Sequence, residues 1–368
     1  MVVTRRRSCL DNIAPYVPGK SIEEVKRELG IQDVIKMASN ENPLGPSPLA
    51  LEAIREYLPL INFYPDGDCY DLKKALAKHF ALEKENIIVG NGADELIVLV
   101  GTAYLDPGEE MIVAYPSFSE YESAAQLMNA LPVRVPCREF HYDLKAMAAA
   151  VNEKTKLIVI CNPNNPTGTI VTHKELEGFL KGLPADILVI IDEAYKEYVT
   201  DLSYPQSLEF LKSGYNVLIL RTFSKIYGLA GLRIGYGLAP EAVIADLNTV
   251  RAPFNVNSVA QVAARAALQD QEHLQAVHAL NNRGKEFLSR EFQRLDLFYL
   301  PTEANFFFME VGVDSRKLFQ KLLQKGVIVR SGDSYGFPQF IRVSIAAEEQ
   351  NTRFIRALEE SLAELRST

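Results

Sequence analysis

Lys156-Leu-Ile-Val-Ile-Cys-Asn-Pro-Asn-Asn-Pro-Thr-Gly168 and, one amphipathic stretch later, Ile187-Leu-Val-Ile-Ile-Asp-Glu-Ala-Tyr195 decide how this chain folds. Each opens as a short run that is apolar nearly throughout, the pattern of a strand covered on both faces. Between them His173–Lys181 reads as a helix, so the unit is strand, helix, strand, with the two strands parallel. The same alternation extends outward from residue 87 to about residue 240. Further apolar runs stand at Ile87–Val89, Met111–Ala114, Val133–Val135, Val217–Leu220 and Leu232–Leu238, with helices expected at Ala93–Tyr104 and Phe118–Met128. The expected fold class is α/β, a mostly parallel sheet between helices.

The last hundred residues read differently. A long helical stretch is expected from about Ser258 to Leu297, then Asn305–Val311, a helix near Ser315–Gly326, strands at Val327–Arg330 and Phe340–Ile345, and a final helix. That is a smaller α+β domain beside the sandwich. The N-terminal arm, with a short helix around Ser21–Leu29, is expected to fold onto it. The expected division is 1–45 for the arm and part of the small domain, 46–265 for the large domain, and 266–368 for the C-terminal small domain.

Composition narrows the function classes. With 48% hydrophobic and 23% charged residues, 368 residues can bury a large core. Thirty-nine basic against 47 acidic residues give a net charge of −8, which argues against nucleic acid or an anionic membrane as the partner. No run reaches membrane-spanning length, and Arg5, Arg6 and Arg7 are not followed by an apolar signal segment. Cys9, Cys69, Cys137 and Cys161 form no CxxC pair, so a reducing, cytoplasmic setting is expected. The five histidines do not pair at ligand spacing, and no metal site is expected.

In open α/β sheets ligands collect beyond the carboxyl ends of the strands, so the loop after each run is a site candidate. Gly90-Asn-Gly-Ala-Asp-Glu95 leads from glycines into a helix and can cradle an anion on free N–H groups. Asn162-Pro-Asn-Asn-Pro-Thr-Gly168 is a rigid loop able to hold an amide at a strand end. Asp192 ends an apolar strand and needs a partner for its carboxylate. Taken singly, each is as readily a glycine turn, a structural loop or a helix cap. The fourth loop changes the balance: Arg221-Thr-Phe-Ser-Lys-Ile-Tyr-Gly-Leu-Ala-Gly-Leu-Arg-Ile-Gly235 gathers Thr222, Ser224, Lys225 and Arg233 past one buried strand. Hydroxyls, glycines and two cations together suit a ligand carrying a phosphate and a carbonyl electrophile.

These residues carry a family resemblance. Thr222-Phe-Ser-Lys225, Gly231-Leu-Arg-Ile-Gly235, Asn165-Pro-Thr-Gly168 and Asp192-Glu-Ala-Tyr195 resemble, in order and spacing over nearly the whole chain, the fold-type-I pyridoxal-phosphate aminotransferases. The resemblance implies the aspartate aminotransferase-like fold. Asn40-Glu-Asn-Pro-Leu-Gly-Pro-Ser-Pro48, Tyr64-Pro-Asp-Gly67, Val329-Arg-Ser-Gly332 and Ile341-Arg-Val-Ser344 are similar to the histidinol-phosphate aminotransferases of histidine biosynthesis.

By that resemblance Lys225 would bind pyridoxal 5'-phosphate covalently and shuttle the proton. Asp192 would face the pyridine nitrogen, Asn165 and Tyr195 the ring hydroxyl, and Tyr115 would stack on the ring. Ala93, Asp94, Thr222, Ser224 and Arg233 would surround the phosphate. Tyr64 would reach it from a neighbouring subunit, which implies a two-fold homodimer. Arg330 and Arg342, with Tyr16 and Asn42 nearby, would take the anionic ends of histidinol phosphate and of glutamate or 2-oxoglutarate. Aromatic or broad-specificity aminotransferases and a phosphothreonine decarboxylase share most of these motifs. A non-catalytic pyridoxal-phosphate-binding relative and a nucleotide-binding sandwich are the remaining alternatives, the last lacking both GxGxxG and a P-loop.

Overall fold

The computed structural model describes residues 4, 6–11, 13, 15 and 19–367. Near the start, Ser21 and Glu24 close a capping box on the helix Ile22–Leu29, which ends at left-handed Gly30. Strand β1 (Ile35–Lys36) comes next. Seven further strands form the large sheet: β2 (Ile87–Gly90), β3 (Glu110–Tyr115), β4 (Leu131–Pro136), β5 (Thr155–Cys161), β6 (Leu188–Asp192), β7 (Val217–Thr222) and β8 (Gly235–Leu238). Their order is β2-β8-β7-β6-β5-β3-β4, and β8 alone runs antiparallel to its neighbours.

Period-two alternation splits each central strand between two cores. Ile158, Ile160, Val189, Ile191, Val217 and Ile219 face one layer, with Leu72, Leu76, Leu176 and Ala260 from the helices Tyr70–Phe80, His173–Lys181 and Ser258–Ala267. Leu157, Val159, Leu188, Ile190, Leu218 and Leu220 face the other, with residues of Ala93–Tyr104, Glu120–Leu127 and Glu241–Val250. This accounts for the unbroken apolar runs: both faces are covered. It also sets direction, since Cys161 and Asp192 share the second face at adjoining strand ends. The order β5-β3-β4 reverses the chain's direction of travel across the sheet, which opens a crevice at the strand ends there.

Beyond residue 300 come β9 (Phe306–Glu310), β10 (Val327–Ile328), β11 (Arg330–Ser331) and β12 (Phe340–Ser344). β11, β12 and β9 form an antiparallel sheet, while β1 pairs with β10. Ile341 and Val343 point into a core shared with Leu288, Phe292, Leu318, Phe354 and Leu358. Alternation therefore turns Phe340, Arg342 and Ser344 to the opposite face, toward the large sheet. The arm is stitched in by Met37, whose N–H donates to Ile328 and whose carbonyl accepts from Ser344.

Three expected elements come out differently. The run Leu232–Leu238 is a 3-10 turn at Ala230–Leu232, left-handed Arg233, and only then β8. The stretch from Ser258 to Leu297 is two helices, Ser258–Ala267 and Gln271–Arg294, because Asp270 accepts the His273 N–H and starts the second. The strand expected at Val327–Arg330 divides into β10 and β11, which pair with different partners.

Candidate active site

A cavity of about 540 Å³ lies at the carboxyl ends of the large sheet's strands, under the open face of β12. Its floor is Lys225. The amine donates to the Ser39 carbonyl at 3.2 Å and sits 5.6 Å from the centre of the Tyr195 ring. Burial, helped by Arg342, pushes its pKa down to about 8. Asp192 forms the adjacent wall: burial pushes its carboxyl up to about 6, held back by hydrogen bonds from Tyr121 Oη (2.7 Å) and the Ala194 N–H (3.0 Å).

One end of the cavity could hold an anion. Ala93 and Asp94 begin the helix after β2, and Thr222, Ser224 and Arg233 close over them. Arg233 donates to Asp94 at 3.1 Å and to Ser224 Oγ at 3.3 Å. This arrangement depends on glycine: a Cβ at Gly92 (φ +85°) would lie 2.5 Å from Arg233 Nη2, and one at Gly235 would lie 2.6 Å from the Ala93 nitrogen. Backbone N–H groups at a helix start beside an arginine suit a phosphate.

The opposite end holds Arg330 and Arg342, in direct register on β11 and β12. Arg342 donates to Asn165 Oδ1 at 2.5 Å, to Tyr335 Oη at 2.9 Å and to the Ala38 carbonyl at 2.6 Å. Its buried Nε–H has no acceptor among the described residues. Asn165 and Tyr195 complete the wall, and Asn40 Nδ2 donates to Tyr195 Oη at 3.0 Å. Burial raises the Tyr195 hydroxyl's pKa, against the pull of Arg342 and Asn40.

Lys225, Asp192, Tyr195, Asn165, Ala93, Asp94, Thr222, Ser224, Arg233, Arg330 and Arg342 thus converge on one cavity. Two expected residues do not line it. Tyr115 packs away, with Arg134 5.5 Å from its ring centre and its hydroxyl against Gly336; the ring supplied by this loop is Phe118. Asn42 lines a neighbouring cleft and donates to the Ile226 carbonyl, whereas Asn40 reaches the cavity. Tyr64 is 83% exposed and stacks on Phe254 at 4.9 Å, outside its own chain's cavity. Tyr16 lies outside the described residues. Sequence reasoning missed Asn40, Phe118, Tyr121 and Tyr335. Asn40 lies in a loop already singled out and Phe118 at the start of an expected helix, but nothing in either stretch marks which residue turns inward.

A half-buried lysine, a buried carboxylate and arginines from two domains share one cavity in a transferase of the pyridoxal-phosphate fold, and the chain belongs to the aminotransferase class I and II family, matching it over residues 32–358. It is 56% identical to the histidinol-phosphate aminotransferase of Moorella thermoacetica, across 98% of this chain and 94% of that one. A solved histidinol-phosphate aminotransferase from Sinorhizobium meliloti, in complex with pyridoxal-5'-phosphate, matches with a TM-score of 0.91 at 28% identity, covering 99% of both chains. An aspartate aminotransferase of Thermus thermophilus shares the fold with a TM-score of 0.84 at 23% identity, covering 98% of this chain and 100% of that one. No helix among the described residues is long and apolar enough to cross a membrane.

Proposed function

We propose that this protein is a pyridoxal-phosphate-dependent aminotransferase of histidine biosynthesis. It interconverts L-histidinol phosphate plus 2-oxoglutarate with imidazole-acetol phosphate plus L-glutamate. The observation that carries this reading is the convergence on Lys225 of an anion cradle at one end and of Arg330 and Arg342 at the other. One end suits the cofactor phosphate; the other suits a substrate that is itself an anion. The similarity to histidinol-phosphate aminotransferases supports the substrate.

The donor set fits the cofactor. Lys225 would hold its carbonyl carbon, Asp192 its ring nitrogen, Asn165 and Tyr195 its ring hydroxyl, and the Ala93–Arg233 cradle its phosphate. When bound, the cofactor supplies a carbonyl that accepts the amino group and an electron sink for the carbon losing its proton. Lys225 Nζ would take the proton from the donor's carbon and deliver it to the carbon that accepts the amino group. A pKa near 8 leaves part of the population neutral at pH 7 and able to do so. Arg330 and Arg342 orient the donor by its anionic group, and burial at Asn165, Tyr195 and Asp192 keeps water from competing for those contacts.

A homodimer with Tyr64 completing the partner's site belongs to the same reading. Ile61, Phe63, Tyr64 and Phe254 are 63%, 64%, 83% and 48% exposed, apolar side chains that a second copy of the chain would cover. Mixing Lys225→Ala with Tyr64→Ala chains tests it: hybrid dimers should regain activity at one site, and no recovery would separate Tyr64 from the neighbouring site. Four free cysteines suit a reducing compartment such as the cytoplasm.

The deciding experiment follows the cofactor's visible spectrum in the loaded protein after addition of L-histidinol phosphate, L-glutamate or L-phenylalanine alone. Conversion by the first two supports the reading. Conversion by phenylalanine and glutamate with histidinol phosphate inert would make it an aromatic aminotransferase instead.

A further inference from the structure

Arg330 and Arg342 face each other in register across β11 and β12. Like charges directly opposite on neighbouring strands repel, and an anion between them would relieve that repulsion. A carboxylate presents two oxygens, which two guanidinium groups satisfy. A phosphate monoester presents three terminal oxygens and needs a further donor. Tyr335 is placed to be that donor. Its ring lines the cavity, and its oxygen accepts from Arg342 Nη1 at 2.9 Å. A phenol that accepts one hydrogen bond still has its own O–H to give.

The position is held from several sides. Phe308 meets the Tyr335 ring edge-on at 6.1 Å, and the Arg342 guanidinium lies 5.9 Å from the ring centre. Tyr335 ends the 3-10 turn Gly332–Tyr335, where Ser331 Oγ accepts the Asp333 N–H and Asp333 pairs with Arg316 at 2.6 Å. The next residue, Gly336, has φ +82°, and a Cβ there would come within 2.1 Å of the Tyr115 hydroxyl. The turn is therefore seated against the large sheet, which fixes where the Tyr335 hydroxyl points.

We propose that Tyr335 is a specificity-determining residue: its hydroxyl donates to a phosphoryl oxygen of the substrate while accepting from Arg342, and so favours a phosphate monoester over a carboxylate. This rests on the substrate reading above and names the residue that discriminates between the two substrates of the one site.

The test uses cofactor-loaded wild type and Tyr335→Phe, which keeps the ring and its contact with Phe308. Each half-reaction is followed spectrally, with L-histidinol phosphate and with L-glutamate. Separately, inorganic phosphate and glutarate are titrated calorimetrically into both loaded proteins, so that the cofactor already occupies the Ala93–Arg233 cradle. The variant should lose roughly 10- to 100-fold in kcat/KM for histidinol phosphate, mainly through KM, and bind phosphate correspondingly more weakly. Glutamate turnover and glutarate affinity should change by less than about threefold, since two guanidinium groups suffice for a carboxylate. Equal losses for both substrates, or unchanged phosphate affinity, would overturn the proposal. A wild type inert toward histidinol phosphate would overturn the substrate reading instead, and the phosphate titration would still decide whether Tyr335 holds a phosphoryl group.

Discussion

Tyr121 donates its phenolic hydrogen to Asp192 Oδ2 across 2.7 Å, and both residues are buried in the wall of the cavity. The contact matters because burial works against Asp192. Taking its carboxyl from the ordinary 3.8 to about 6 disfavours the anion that the proposed contact with a protonated ring nitrogen would require. Tyr121 pulls the other way, on the side of the charged form.

Cofactor affinity should therefore fall as pH drops through about 6, where Asp192 becomes protonated. Tyr121→Phe should move that midpoint upward and weaken binding at pH 7 roughly tenfold, the effect of one hydrogen bond to a charged group. The measurement is equilibrium titration of apoprotein with pyridoxal phosphate between pH 5 and 8. An unmoved midpoint would mean that Tyr121 is only packing. The sign for the apoprotein itself is opposite to that of a paired carboxylate. Asp192 is raised in the fold, so its ionisation removes stability as pH climbs from 3.8 to about 6, by about 3 kcal/mol when complete.

In the proposed role Lys225 would have to be neutral to attack the cofactor's carbonyl, and burial together with Arg342 lowers its pKa to about 8. The rate at which apoprotein captures pyridoxal phosphate should climb with pH and level off above about 8. In Arg342→Ala one of the groups that depress the amine is gone, so the levelling-off should shift to higher pH. Stopped-flow absorbance across pH 6 to 10 reads both curves.

Arg342 is also expected to bind substrate. Arg342→Ala should lower kcat/KM for L-glutamate and L-histidinol phosphate alike, by at least roughly tenfold, because it removes a charge-assisted contact common to both. Steady-state kinetics with either donor varied are sufficient. Intact turnover of both would exclude Arg342 from substrate recognition.

Arg221 stands apart from the chemistry. It pairs with the fully buried Glu193 at 2.7 Å on the opposite face of the sheet from Asp192; burial works against the Arg221 charge there, and Glu193 more than offsets it. Arg221→Met should destabilise the fold by up to about 3–5 kcal/mol, since it takes from buried Glu193 its nearest cation and leaves only the more distant Lys196 at 3.8 Å. Denaturant unfolding of the apoprotein would show the drop. Arg221→Met with Glu193→Leu should recover most of it.

The amino-acid sequence by itself determined the sheet and the level of the site. A parallel strand covered on both faces is written as an unbroken apolar run, and its carboxyl end, where ligands gather, is the point at which the run stops. Asp192, Lys225 and Asn165 could be read from that rule, and all three line the cavity. Side-chain direction at irregular backbone was not legible. Tyr115 ends β3 and Phe118 lies in the loop just past it, Asn40 and Asn42 share one loop, and beyond a strand's end spacing has no period to tell inward from outward. The tertiary structure decided each case by packing: the Tyr115 hydroxyl lies against Gly336, while left-handed Asn40 (φ +57°) turns toward Tyr195. Tyr121 and Tyr335 were hidden for a related reason. Their partners, Asp192 and Arg342, are 71 and 7 residues away along the chain, and only the assembled fold brings them within hydrogen-bonding distance.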